Sequence, residues 1–149
     1  MTIESSPKAE LQRHAQKAAT AFLAGPRRDR MTALLEAPTD KQWDKFRRSL
    51  AGTFQAALDP RHARPLSAHE QHPEVLEHLL RQAGAPDRCA VVTDLGGDDG
   101  LYALTAALGR FPWHGQGVLI SCVPGALAYY ESEGADRFIL LRAGAVAGR

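Results

Sequence analysis

Cysteine is nearly missing from this chain: Cys89 and Cys122 are the only two in 149 residues. So few thiols argue against a disulfide-stapled scaffold and fit reduced residues of an intracellular protein. Long apolar runs are missing too, and none approaches the ~20 residues that a bilayer-spanning helix needs. The opening residues 1–8 have neither a basic segment nor an apolar one, so a secretory leader is not expected. There is no Gly-x-Gly-x-x-Gly and no Gly-Lys-Ser/Thr, the glycine patterns that cradle phosphates. Ser121 lacks the Gly-x-Ser-x-Gly setting of a nucleophile elbow. Internal repeats and low-complexity linkers are absent as well.

What the chain does contain is the composition of an ordinary globular domain, 44% hydrophobic and 23% charged. A chain of this length buries roughly 68–70% of its unfolded surface, enough to fold without a staple. The 25 alanines suit a GC-rich bacterial genome. The net charge of +1 hides an asymmetry. Residues 1–65 hold 12 Lys and Arg against 7 Asp and Glu, and residues 66–149 hold 6 against 10. Such a split marks either a basic surface for an acidic partner or, more plainly, two solvated faces.

The character of the chain changes near residue 88, within what reads as one domain, 1–149. Residues 1–88 read as mainly helical. Ser6 and Pro7 are a natural helix start, and Leu11, Ala15, Ala18, Phe22 and Leu23 fall on one face. A short helix is expected over Asp29–Glu36. Thr39 and Gln42 have the capping-box spacing, and Trp43, Phe46, Leu50, Phe54, Ala57 and Leu58 form one apolar stripe of a helix closed by Asp59-Pro60. A further helix starts at His72-Pro73. Residues 89–142 are strand-rich, with runs at Cys89–Asp94, Val118–Cys122, Ala126–Glu131 and Arg137–Leu141. A helix over Leu101–Gly109, capped by Asp98 or Asp99, predicts a right-handed βαβ crossover that makes the strands at 89–94 and 118–122 parallel. The later strands are close enough in sequence for an antiparallel meander. Residues 143–149 are small and read as a frayed tail. The expected fold is therefore α+β: a helical N-terminal layer on a small mixed sheet of about four strands.

Five groups of residues are chemically suggestive. Asp94, Asp98 and Asp99, in a glycine-rich loop at a strand end, are candidate ligands for a small molecule or a hard cation such as Mg²⁺ or Ca²⁺. The plainer reading is a tight turn with a helix cap. Cys122 as a nucleophile would need a base such as His114 or His62 beside it, and alternation places it instead on an apolar face with Val118 and Ile120. His69-Glu-Gln-His72 is one residue short of the zinc-protease spacing and reads as surface histidines. Arg27, Arg28, Arg30, Lys45, Arg47, Arg48, Arg61 and Arg64 form a basic set, with no nucleic-acid motif beside them. Tyr129, Glu131 and Glu133 share one strand face and, with Arg47 and Arg48, are the candidate partner-binding surface.

No catalytic residue, cofactor or metal set emerges. The sequence leads us to expect a small cytoplasmic, non-catalytic protein-binding or regulatory protein with no membrane association. A metal-dependent enzyme or small-ligand binder using the 94–100 loop is the alternative. Nucleic-acid binding through the basic half is a second and less favoured one.

Overall fold

The computed structural model describes residues 6–142, so the expected tail at 143–149 lies outside the described residues. The chain forms a six-stranded sheet, in the order β1-β6-β5-β4-β2-β3, with helices on both faces. This is an α+β architecture, with six strands in place of the expected four or so.

Helix α1 (Pro7–Phe22) starts as its sequence dictates: Ser6 accepts from the Ala9 amide at 3.1 Å. Helix α2 (Gly25–Leu34) begins earlier than expected, at Gly25-Pro26, and Asp29 does not cap it. Pro26 suits a first helical turn because it has no amide hydrogen to satisfy there. Helix α3 (Asp40–Ser49) has the expected capping box between Thr39 and Gln42.

The apolar stripe does not stay in one helix. The chain breaks at Leu50–Gly52 and resumes as α4 (Thr53–Ala56). The sheet captures the carbonyls at the break. The Tyr130 hydroxyl donates to Leu50 O at 2.7 Å, and the Glu133 amide donates to Ala51 O at 2.9 Å. Gly117 lies so close that a Cβ there would sit 2.4 Å from the Leu50 carbonyl. Phe46, Leu50 and Phe54 are nonetheless all buried on the same side.

Strand β1 (Ala63–Pro65) was not foreseen; it pairs with the last strand at the sheet edge. Helix α5 (Pro73–Gln82) then leads into β2 (Arg88–Thr93). The segment expected to open a helix at Leu101 is instead strand β3 (Gly100–Ala103), a hairpin partner of β2. Helix α6 (Leu104–Arg110) follows, with Ala103 in the capping position, so neither Asp98 nor Asp99 caps it.

Strand β4 (Val118–Val123) pairs antiparallel with β2, correcting the expected parallel pairing. The reason is the β2–β3 hairpin. It reverses the chain before α6, so α6 links β3 and β4, which flank β2 and run in the same direction. Strands β5 (Leu127–Glu131) and β6 (Arg137–Leu141) complete the expected antiparallel meander. Gly125, at φ 71°, makes the β4–β5 turn.

Two cores result. On one face Phe22, Phe46, Leu50 and Phe54 of the N-terminal helical part meet Val92, Leu119, Tyr130 and Leu140. On the other, Leu76, Leu80, Leu104 and Leu108 of α5 and α6 meet Val91, Ile120, Tyr129 and Ile139. The central strands β2, β4 and β5 are covered on both faces, which is why their burial shows no alternation.

Candidate functional site

The 94–100 loop is the tip of the β2–β3 hairpin, and arginines engage its carboxylates. Asp99 is paired with Arg47, and its other oxygen accepts from the Thr93 amide at 2.9 Å. Arg47 also reaches Asp44 at 2.5 Å and lies beneath Gly96, where a Cβ would come within 3.0 Å of the guanidinium. Asp98 pairs with Arg110 at 2.9 Å. Asp94 stands apart, with Oδ1 buried and unpartnered. Among the described residues no group of three or more His, Cys, Asp or Glu is arranged to hold a metal ion. The guanidinium of Arg47 supplies the positive charge that a cation would bring to Asp99.

The nucleophile candidates are buried. Cys89 and Cys122 lie on the face covered by α5 and α6, each 2% exposed. Burial pushes the Cys89 thiol up to about 12 and raises that of Cys122 further, with Cys89 beside it adding to the effect. Neither forms a thiolate readily. Ser121 does meet a histidine: His14 Nδ1 lies 2.6 Å from its Oγ. Both side chains are closed off between α1 and the sheet, and burial lowers the His14 pKa to about 4. This is a satisfied core hydrogen bond, with both side chains buried.

The partner-surface candidates also move. Tyr129 and Glu131 are fully buried, and only Glu133 is exposed, so they do not form a surface together. Their face is turned into the second core, where Glu131 accepts from Tyr129 Oη at 2.7 Å, from Arg137 Nε at 3.1 Å and from the Trp113 amide. Desolvation by burial, followed by the bond to Glu131, raises the Tyr129 hydroxyl far above its ordinary pKa. Arg47 is held by Asp44 and Asp99, whereas Arg48 is exposed. His69, His72 and His78 are exposed, and His62 is half-buried.

The basic set divides cleanly. Arg28, Arg47, Arg61 and Arg64 are each paired to a carboxylate. Arg27, Arg30, Lys45 and Arg48 make no ion pair among the described residues. Three of these four converge. Arg27 and Arg30 on α2 and Lys45 on α3 line a cavity of about 190 Å³ whose floor includes Leu23, Met31, Leu34 and Phe54. A second depression of about 460 Å³ adjoins it along the start of α2, around Gly25, Pro26 and Leu58.

This groove exists because α2 is a poor core helix. Its sequence, Gly-Pro-Arg-Arg-Asp-Arg-Met-Thr-Ala-Leu, offers few apolar side chains, and none of its residues is buried. It touches the core only through the partly buried Met31 and Leu34, and it is fixed at both ends. Ala24 donates to Ala57 O at 2.9 Å, while Thr32 meets Thr20 at 3.0 Å and Gln16 at 3.1 Å. The groove is thus preformed. The excess of positive charge in residues 1–65 signalled it, but which cations lack partners follows only from the fold.

Comparison with protein families, with curated proteins and with solved structures found no match to this chain.

Proposed function

We propose that this chain is a small, non-catalytic protein-binding or regulatory domain that receives its partner in the groove beneath α2. The observation that carries the reading is the convergence of three unpaired cations, Arg27, Arg30 and Lys45, on an apolar floor. Unpaired charges beside exposed apolar surface are what a binding face presents and what a folded core avoids. Several other candidate groups have partners inside the fold or are shut from solvent: Asp98 and Asp99 are paired with arginines, Ser121 with His14, and both thiols are buried. Work in the cytoplasm belongs to the same proposal.

Affinity capture with the wild type and with Arg27→Glu/Arg30→Glu/Lys45→Glu tests it. The three side chains make no ion pair, so the variant should melt close to the wild type. Loss of a specific captured protein from the variant, but not from an Arg88→Glu control on β2, is the expected outcome. An identical captured set from all three would refute the groove.

A second reading rests on the unpartnered Oδ1 of Asp94, which leaves one acceptor at the hairpin tip for a ligand. Millimolar Mg²⁺, Ca²⁺ or Mn²⁺ should leave the melting temperature unchanged if the loop is only structural. A metal-dependent rise, abolished by Asp94→Asn, would favour the cation site, because a ligand stabilises by RT ln(1 + [L]/Kd).

A further inference from the structure

Resting on the groove reading, we infer that its occupant is an acidic, amphipathic stretch of polypeptide, with one large apolar side chain anchored on the groove floor and carboxylates on either side of it. Three features select that chemistry. The first is charge: Arg27 and Arg30 stand three residues apart on one helix and so point the same way, and Lys45 faces them from α3. Cations therefore stand on both walls, and no carboxylate of this chain pairs with them among the described residues.

The second feature is the floor. Met31 and Leu34 offer carbon, and Phe54 behind them is only 1% exposed, so there is no base-stacking aromatic platform. A nucleic acid would satisfy the cations and leave this floor wet. A peptide with an apolar anchor satisfies both, and a buried anchor ringed by polar contacts is how interface energy is concentrated. The third is shape. The anchoring cavity, about 190 Å³, falls below the roughly 300–1,000 Å³ of sites that enclose a small molecule. The adjoining depression along Gly25 and Pro26, about 460 Å³, is larger but open to solvent, so it does not enclose a compact ligand either. A cavity for one side chain with an open run beside it matches a chain segment better than a compact ligand.

The test is selection of a displayed random-peptide library, about 16 residues long, on the immobilised full chain. Arg27→Glu/Arg30→Glu serves for counter-selection. The expected result is enrichment of sequences with net negative charge around a Leu, Ile, Phe or Trp. The best of them, synthesised, should bind at least about tenfold more weakly to Arg30→Glu and to the floor variant Met31→Asp. Its affinity should also fall between roughly 50 and 200 mM salt, as screening requires. Enrichment of neutral or basic peptides would overturn the acidic occupant while leaving the groove as a binding site. Oligothymidine binding more tightly than any peptide, and lost in Arg30→Glu, would overturn it in favour of a nucleic acid. Absence of any groove-dependent peptide would also overturn it. The capture comparison is independent of peptide chemistry: a captured set that the triple reversal leaves unchanged defeats the groove reading itself.

Discussion

Two buried polar residues, His14 and Glu131, give the sharpest tests at the scale of single side chains. Burial holds the His14 pKa near 4 against an ordinary 6.5, with Arg13 contributing in the same direction. A histidine lowered in the folded state binds its proton more readily after unfolding. Its effect is absent above pH 6.5, and stability falls as the pH drops from 6.5 toward 4. The loss amounts to at most about 3 kcal/mol. Denaturant unfolding of wild type and His14→Gln across that range should show a shallower pH dependence in the variant. Parallel curves would contradict the assignment.

Glu131 holds Tyr129, Arg137 and the amide of Trp113, a residue at φ 73° in the left-handed region. Glu131→Ala should therefore cost about 3–5 kcal/mol, the range for leaving a buried charge without its partner. Urea unfolding measures it, and a cost under about 1 kcal/mol would show that the cluster is not a structural clasp. Gly117→Ala forces a methyl to within 2.4 Å of the Leu50 carbonyl, against backbone that has little freedom to yield. The expected cost is about 3 kcal/mol, at the upper end of overpacking. A near-neutral result would mean that the α3–α4 break is not pinned to β4.

At the scale of elements, Phe46→Ala should cost about 3–5 kcal/mol as the loss of a fully buried aromatic. A value below about 1 kcal/mol would mean the α3 stripe is not core. That stripe was legible because its spacing is helical and its cap has a local signature. The break at Leu50–Gly52 was not legible, because the groups that cause it, Tyr130 and Glu133, lie some 80 residues away in sequence. Strands β2, β4, β5 and β6 were readable as short apolar runs bounded by turn residues. Strand β1 contains Pro65 and is only three residues long, so its sequence carries no strand pattern. Strand β3, Gly-Leu-Tyr-Ala, runs into a helical sequence, and only pairing with β2 decides its state. Missing that hairpin produced the mistaken parallel crossover. The 94–100 loop was correctly located at a strand end, but its partners Arg47 and Arg110 come from elements that no local pattern brings near. Tyr129 and Glu131 were placed on one face correctly, yet alternation alone cannot say that Trp113 and Arg137 close over that face.

At the scale of the molecule, the positive half is not a uniform basic surface. Intramolecular carboxylates pair half of the eight basic side chains that stand out in it, and three of the remainder gather on one groove. The sheet beneath is shielded on both faces, and no helix among the described residues is long and apolar enough to cross a membrane. Beneath α2 the described residues combine exposed carbon with unanswered charge. A photocrosslinking residue at Leu34 tests this most directly, with the same residue at Arg88 as control, irradiated in cells that express the full chain. The account predicts a defined adduct with another polypeptide from position 34 that disappears when Arg27, Arg30 and Lys45 are reversed to Glu. No adduct from position 34, or one indifferent to those three charges, would contradict it.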